Sequence, residues 1–292
     1  MNKGLKIVLL AKQVPDTRAV GKDAMKEDGT VNRAALPAIY NPEDLGALEQ
    51  AIRLKEMCPG STITVVTMGP PRAADVLRES IFRGADSGVL VTDRKFAGAD
   101  TLATSYTLAA AVRKIGADVV IAGRQAIDGD TAQVGPQVAE KLDLPQVTYC
   151  EDIEACDGRT ITIKRRLERG VETVECPLPM VITVNASAPE CRPQEAKRVM
   201  KYKHSMTVSE VQALAEDFYL PLRSKREYLN IPQWGVVDLD VEEESLGLKG
   251  SPTKVKKIEN IVFTAKEAKQ LGASDGEIEA MIQELIASHT IG

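Results

Sequence analysis

Residues 118–137 read DVVIAGRQAIDGDTAQVGPQ, and this stretch decides the fold class. Asp118–Ala122 is a short apolar run, typical of a parallel strand that is buried on both faces. Gly123–Gln137 follows it, and a helical pattern runs from about Thr131 to Leu142. Ligands of open α/β sheets bind beyond the carboxyl ends of the strands, and the free amides of a helix start attract phosphate. The stretch therefore predicts an α/β domain with a phosphate or pyrophosphate site.

The loop after this strand allows two interpretations. Gly129 lets the backbone approach a ligand closely. Alternatively, Asp130 and Gln133 form a capping box, and the loop is a well-capped turn without a ligand. We favour a ligand because a cap alone does not need Arg124 and Asp128 beside these residues.

Strand and helix patterns alternate over the first 145 residues. Further strands are predicted at 6–11, 63–68 and 88–92, and further helices from Asn41, at about 72–83 and at 101–115. This order implies a parallel sheet with helices on both faces. Shorter strands at 146–153, 160–167 and 170–176, with a hairpin turn at Asp157-Gly158, precede a buried strand at 178–184.

Other turns are expected at the same edge of the sheet. Residues 66–72 (VTMGPPR) form a second strand-to-helix turn in which Arg72 offers a partner for an anion. The turn matches neither GxGxxG nor GxxxxGK[ST], so a plain tight turn is the alternative. Asn41 suits a helix N-cap. Asp100 and Thr101 either cap the next helix or hydrogen-bond a cofactor, and their spacing does not separate the two.

Composition argues against several classes of protein. A net charge of −5, with only four Phe and one Trp in 292 residues, gives no reason to expect a nucleic-acid partner. No apolar run reaches the ~18 residues of a membrane span, so we expect no membrane insertion. Five cysteines without a CxxC predict a reduced, cytoplasmic protein with no metal site. The two histidines lie in the C-terminal third, so any chemistry is expected from a cofactor rather than from catalytic side chains.

Residues 201–292 differ from the rest of the chain. Capping boxes are predicted at Thr207–Glu210, Thr264–Glu267 and Ser274–Glu277, with polar linkers between them. We expect residues 1–200 to form the nucleotide-binding domain and residues 201–292 to form an arm that packs on another subunit. A small appended helical domain is the alternative.

Several stretches together resemble the beta subunit of electron transfer flavoproteins. They are KIVLLAKQVPDT (6–17), NPEDLGALEQAIRLKE (41–56), VVTMGP (65–70), GRQAIDGDTAQVGPQ (123–137) and GLKGSPTKV (247–255). The resemblance runs through nearly the whole chain. It implies a Rossmann-like α/β domain, similar to adenine nucleotide alpha hydrolases, followed by a C-terminal helical arm that embraces the alpha subunit.

The resemblance covers two branches of this family. In the ordinary branch, the beta subunit holds AMP as a structural ligand, and the working FAD sits mainly on the alpha subunit. In the electron-bifurcating branch, FAD replaces AMP and accepts hydride from NADH. One electron then goes to ferredoxin or flavodoxin, and the other goes through the alpha-subunit FAD to an acyl-CoA dehydrogenase-like partner. The chain is more similar to the bifurcating branch, because AMP-type members tend to be bulkier and more acidic at Gly129 and because residues 99–105 resemble bifurcating members.

The resemblance also implies which residues contact the cofactor. The adenosine and phosphate part of FAD would lie against Ala11, Asn41, Val66, Gly123, Arg124, Asp128, Gly129, Asp130, Thr131, Gln133 and Val134. Asp100, Thr101 and Thr104 would lie near the flavin, and Gly69, Pro70 and Arg72 near the approach of NADH. No catalytic acid or base is expected, since hydride passes directly from the nicotinamide to flavin N5.

Two alternatives stay open at this point. The chain could be a non-bifurcating beta subunit that holds AMP, or an α/β domain that senses or hydrolyses nucleotides without electron transfer. Two FAD per heterodimer would indicate the bifurcating branch, and one FAD with one AMP would indicate the ordinary branch. A stable, colourless monomer that hydrolyses nucleotides would indicate the third possibility.

Overall fold

The computed structural model describes residues 4–16, 37–253, 270–288 and 290–291. These residues fall into two compact units, 4–253 and 270–291. The first unit contains a nine-stranded sheet with helices, and the second contains a helix of 13 residues. No helix among the described residues is long and apolar enough to cross a membrane.

The strands and helices are numbered in chain order. The strands are β1 (Lys6–Leu10), β2 (Gln13–Pro15), β3 (Ala38–Tyr40), β4 (Thr62–Met68), β5 (Ser87–Val91), β6 (Val119–Gly123), β7 (Gln146–Cys156), β8 (Thr160–Leu167), β9 (Gly170–Pro177), β10 (Met180–Val184), β11 (Met206–Thr207), β12 (Asn230–Ile231) and β13 (Gln233–Trp234). The helices are α1 (Pro42–Met57), α2 (Ala74–Arg83), α3 (Thr101–Ile115), α4 (Val134–Leu142), α5 (Ala196–Tyr202), α6 (Val208–Gln212), α7 (Leu220–Arg223) and α8 (Asp275–Ala287).

The large sheet has the order β13-β5-β4-β1-β6-β10-β7-β8-β9. Pairing is parallel from β13 to β7, and β8 and β9 extend the sheet by antiparallel pairing. The predicted α/β fold is confirmed, and the predicted hairpin strands make the sheet mixed. The chain builds outward from β1 through β4 to β5 and then returns to β6 on the other side. The strand order therefore reverses between β1 and β6, which is where such sheets bind ligands.

The two faces of the sheet carry separate cores. Side chains alternate along a strand, so Ile7 and Leu9 of β1 join one core with α1 and α2, while Val8 and Leu10 join the other with α3 and α4. The first core includes Leu48 of α1. Helices therefore cover both faces, as predicted, and the carboxyl ends of the parallel strands are left facing a common edge.

Two predicted helix starts are wrong by a few residues. Helix α4 begins at Val134 rather than near Thr131, because Asp130 and Ala132 have φ of 48° and 51°, outside the helical range. Helix α2 begins at Ala74, after a 3₁₀ turn over Pro71–Ala73. Both changes lengthen the loops at the carboxyl edge of the sheet.

Residues 201–253 pack within the first unit. Strand β13 pairs with β5 at the edge of the sheet, Ile231 belongs to the first core, and Leu239 and Leu246 belong to the second. Contacts within one chain do not test a boundary at residue 200 or packing on another subunit, and both stay predictions.

The predicted capping boxes have different outcomes. The box of Thr207 and Glu210 is confirmed. At Ser274 the helix start is right but the box is wrong, because the Ser274 hydroxyl donates to the Glu277 carboxylate instead of accepting from its amide. The box at Thr264–Glu267 lies outside the described residues.

Candidate functional site

A cleft of about 680 Å³ opens at the carboxyl edge of the sheet. It lies over the ends of β1 and β6, where the strand order reverses, and extends across the ends of β4 and β5. One wall is the loop after β6 together with the start of α4. The opposite wall is formed by the turns after β4 and β5 and by the start of α3. Its volume is in the usual range for a small-molecule or cofactor site.

The start of α1 holds the loop after β6 in place. Asn41 is fully buried; its Nδ2 donates to the Gln125 carbonyl (2.9 Å), and its Oδ1 accepts from the Ile127 amide (3.2 Å). Glu43 accepts hydrogen bonds from the Arg124 guanidinium and from the Gln125 amide, each at 3.1 Å. Asn41 occupies the N-cap position of α1 as predicted, but its side chain makes no cap hydrogen bond to this helix, because it is used by the neighbouring loop. Asn41 and Glu43 therefore position the loop.

Asp44 joins the ends of the two central strands. Its carboxylate accepts from the Lys12 amide after β1 (2.8 Å) and from the Gly123 amide at the end of β6 (3.1 Å). Burial raises the pKa of Asp44 to about 7, against the lowering effect of these hydrogen bonds and with a smaller raising effect of Glu43. We did not predict this role from the sequence. An acidic residue in the first turn of a helix that begins at the carboxyl edge of the sheet is the feature that could have indicated it.

Protein stability should depend on pH through Asp44. The pKa of this carboxyl group is about 7 in the folded chain and near 3.8 in an unfolded one, so the folded state holds the proton more tightly. The stabilisation is complete below about pH 4 and is lost as the pH rises through about 7, with a total of about 4 kcal/mol. We expect this fall in the free energy of unfolding in the parent protein but not in Asp44→Asn. Denaturant titrations from about pH 4 to about pH 8 test it, and parallel curves for the two proteins would contradict it.

Three glycines, at the end of β6, in the loop after it and at the start of α4, differ in the space around them. A Cβ on Gly123 would lie 2.4 Å from Asp44 Oδ1, and a Cβ on Gly135 would lie 2.5 Å from Thr183 Cγ2. No described atom lies within 4 Å of a Cβ on Gly129, and this residue lines the cleft. Packing therefore requires glycine at Gly123 and Gly135 but not at Gly129.

Helix α4 begins at the cleft without a side-chain cap from the described residues. Gln133 occupies the N-cap position, but its Oε1 accepts from the Thr101 hydroxyl (2.9 Å). The predicted box is wrong, because Asp130 lies outside the helix and accepts from Gln125 Nε2 (2.8 Å). The first amide that bonds within the helix is that of Gln137, so the amides of Val134 and Gly135 have no partner in the helix. These two amides lie at the positive end of the helix dipole.

Asp100 has a structural role at the opposite wall. Its Oδ1 caps α3 by accepting from the amides of Leu102 and Ala103, and its Oδ2 accepts from the Thr253 amide and hydroxyl. Burial acts to raise the pKa of Asp100, but the Thr253 and Ala103 hydrogen bonds lower it below its usual value. Of the two predicted interpretations, the cap is confirmed. Asp100 also lines the cleft, where the carboxylate is held ionised.

Most of the predicted site residues line the cleft. They are Ala11, Val66, Gly69, Pro70, Asp100, Thr101, Thr104, Gly123, Arg124, Gly129, Asp130, Thr131, Gln133 and Val134. Asn41, Arg72 and Asp128 do not line it. Asn41 lies behind the loop, Arg72 is exposed in the 3₁₀ turn, and Asp128 pairs with Lys12 at 2.7 Å. The lining shows position only, and contact with a cofactor stays a prediction.

The sequence analysis missed the apolar part of the cleft. Its walls include Leu10 of β1, Met68 of β4, Val91 of β5, Phe96 of the 3₁₀ turn Arg94–Phe96 and Leu108 of α3. Leu10, Met68 and Val91 lie at or within one residue of the ends of predicted strands, which was a usable signal for these three. Among the described residues, no cluster of His, Cys, Asp and Glu could hold a metal ion.

Comparison with known proteins supplies the family. The electron transfer flavoprotein domain matches residues 28–211. The chain belongs to the electron transfer flavoprotein family. It is 45% identical over 253 residues to the electron transfer flavoprotein subunit beta of Clostridium acetobutylicum, with 87% of each chain covered.

Two other relatives carry more specific names. The acryloyl-CoA reductase electron transfer subunit gamma of Anaerotignum propionicum is 40% identical over 292 residues, which cover 98% of this chain and 100% of the relative. Subunit CarD of the caffeyl-CoA reductase-Etf complex of Acetobacterium woodii is 41% identical over 253 residues, or 86% of each chain. The match to this family extends over nearly the whole chain.

Proposed function

We propose that the cleft binds FAD and that this chain is the NADH-oxidising beta subunit of an electron-bifurcating electron transfer flavoprotein. The observation that carries the proposal is Gly129, which faces the cleft beside the uncapped start of α4 and is not required by packing. Because packing does not require glycine at this position, we attribute Gly129 to a ligand that occupies the part of the cleft beside it.

The residues of the cleft are suited to a dinucleotide. The amides of Val134 and Gly135 offer donors to a phosphate at the positive end of the α4 dipole. The cleft continues from there past Val66 and Met68 to Phe96, an apolar stretch that suits an aromatic ring system. AMP would occupy the phosphate end and leave much of this length open, so the extent of the cleft favours FAD.

The protein residues have distinct tasks in this proposal. Glu43 and Asn41 fix the loop, Asp44 fixes its junction with β6, and the α4 amides bind the diphosphate. Bound FAD would supply a hydride acceptor that passes on electrons singly. The apolar side chains exclude water from the ring, and the two walls of the cleft orient it.

The proposed partners follow from the relatives and from the surface. Two relatives are named for acryloyl-CoA reductase and caffeyl-CoA reductase, which supports an acyl-CoA dehydrogenase-like acceptor here. Residues 200–237 expose large apolar side chains, including Phe218 at 80% and Val237 at 96%. Such a surface supports packing on an alpha subunit. We propose ferredoxin or flavodoxin as the second acceptor and the cytoplasm as the location.

An anaerobic titration of the purified heterodimer with NADH tests the redox proposal. We expect NADH to bleach the absorbance of the flavin bound to this subunit. The matched control is Gly129→Glu, in which the heterodimer should keep the alpha-subunit flavin but lose the response. A parent flavin that stays oxidised with excess NADH would overturn the bifurcating assignment and favour the AMP-binding alternative.

A further inference from the structure

The thiols of Cys58 and Cys156 lie together at the end of the sheet domain opposite the start of α1. Their sulfur atoms are 2.8 Å apart, although the residues are 98 positions apart in sequence. This separation is about 0.8 Å longer than the ~2.05 Å bond of a disulfide. Both cysteines are free in the structure. We propose that Cys58 and Cys156 form a reversible disulfide that links the end of α1 to the end of β7.

The backbone holds both cysteines in position for this bond. Cys58 caps the C-terminus of α1, with its amide bonded to the Leu54 carbonyl and its carbonyl accepting from the Ser61 amide and hydroxyl. Cys156 is the last residue of β7 and pairs with Ile161 of β8. Cap hydrogen bonds at the end of α1 hold Cys58, and strand pairing holds Cys156, so backbone bonds fix both sides of the contact.

The two sulfurs have different surroundings, which sets the order of reaction. Cys58 is buried, and burial together with the hydrogen bond to Cys156 raises the pKa of its thiol to about 12. Cys156 is partly exposed, and its sulfur accepts hydrogen bonds from the Cys58 thiol and the Gly158 amide. Cys156 is therefore the sulfur that meets an oxidant first, and Cys58 is the resolving thiol.

The oxidant is a small-molecule disulfide, and the exchange has two steps. The Cys156 thiolate attacks one sulfur of the oxidant, the small disulfide bond breaks, and one small thiolate leaves. The Cys58 thiolate then attacks Cys156 Sγ, the Cys58–Cys156 bond forms, and the second small thiolate leaves. Two protein thiols are oxidised by two electrons in total, the oxidant is reduced to two thiols, and the two protons pass to them.

Oxidised glutathione, added to the folded full-length chain in its purified complex, tests the proposal. After alkylation and digestion, mass spectrometry should find a peptide pair joined through Cys58 and Cys156 and released by dithiothreitol. The oxidised protein should also unfold about 5–15 °C higher, because a closed loop of this length restricts the unfolded chain. Alkylation of both cysteines as free thiols, or a glutathione adduct that persists on Cys156, would overturn the proposal.

Variants with one cysteine replaced test the pairing in a second way, separate from the peptide analysis of the parent protein. In Cys58→Ser, Cys156 should stop at the glutathione adduct, and in Cys156→Ser, Cys58 should stay unmodified. Cys191→Ser is the matched control and should form the cross-link as the parent does. A cross-link from Cys156 to another cysteine in Cys58→Ser would contradict the specific pairing. Since the pair lies at the other end of α1 from Asn41, cofactor content should not change on oxidation, which separates this result from the proposed function.

Discussion

Gly123→Ala should destabilise the protein by about 3 kcal/mol and lower its Tm by roughly 6–10 °C. The added methyl group would lie 2.4 Å from Asp44 Oδ1, 2.8 Å from the Glu43 carbonyl carbon and 2.9 Å from the Asp44 amide nitrogen. Two of these neighbours are backbone atoms at the start of α1 and cannot move aside as a flexible side chain does. The strand end must shift, and the hydrogen bond from the Gly123 amide to Asp44 is then lost.

The same substitution should also weaken nucleotide binding by at least about tenfold. The loop after β6 is fixed through this junction, so a shift of Gly123 moves the loop and the start of α4 together. Thermal unfolding and cofactor content of the purified complex measure the two effects. Gly129→Ala is the matched control, because its methyl group meets no described atom, and its Tm should stay within about 2 °C of the parent. Equal Tm values for Gly123→Ala and Gly129→Ala would contradict this account of the junction.

Gly129→Glu should leave the fold intact and reduce FAD affinity about 100-fold, which corresponds to about 2.7 kcal/mol. No described atom lies within 4 Å of an added Cβ and the residue lines the cleft, so we expect the new side chain to extend into the cleft. Its carboxylate brings a negative charge to the wall that is proposed to face the diphosphate, and like charges a few ångströms apart repel strongly at partly buried sites. FAD fluorescence released from the purified complex measures the loss.

Two further variants separate the causes of this effect. Gly129→Gln has a similar size without the charge and should lose less affinity than Gly129→Glu. Gly276→Glu places the same charge on α8, where no described atom lies within 4 Å of an added Cβ, and should keep the FAD content of the parent. Unchanged FAD content in Gly129→Glu would show that Gly129 does not face the cofactor.

The sequence predicted the sheet well because its signals are local. Buried strands such as 119–123 are continuous apolar runs, and parallel strands linked by helices leave few possible topologies. The start of α4 was less predictable. Asp130 and Ala132 have positive φ, which is uncommon for residues other than glycine, so the local sequence did not indicate where the loop ends and α4 begins.

Most of the predicted site residues line one cleft, but some of the side-chain hydrogen bonds at this cleft were not predicted. Asn41 and Asp100 carry signals typical of helix caps, and such signals do not show which neighbours compete for the side chain. Only the fold brings Asn41 to the loop 84 residues later and Asp100 to Thr253. Asp44 was missed for the same reason, since its two partners come from strand ends that are distant in the sequence.

The central claim is that this subunit carries a flavin, and counting cofactors tests it most directly. The heterodimer should be purified under mild conditions, denatured and analysed for FAD and AMP by chromatography against the protein concentration. We expect two FAD and no AMP per heterodimer. One FAD and one AMP per heterodimer would contradict it and assign this chain to the ordinary branch of the family.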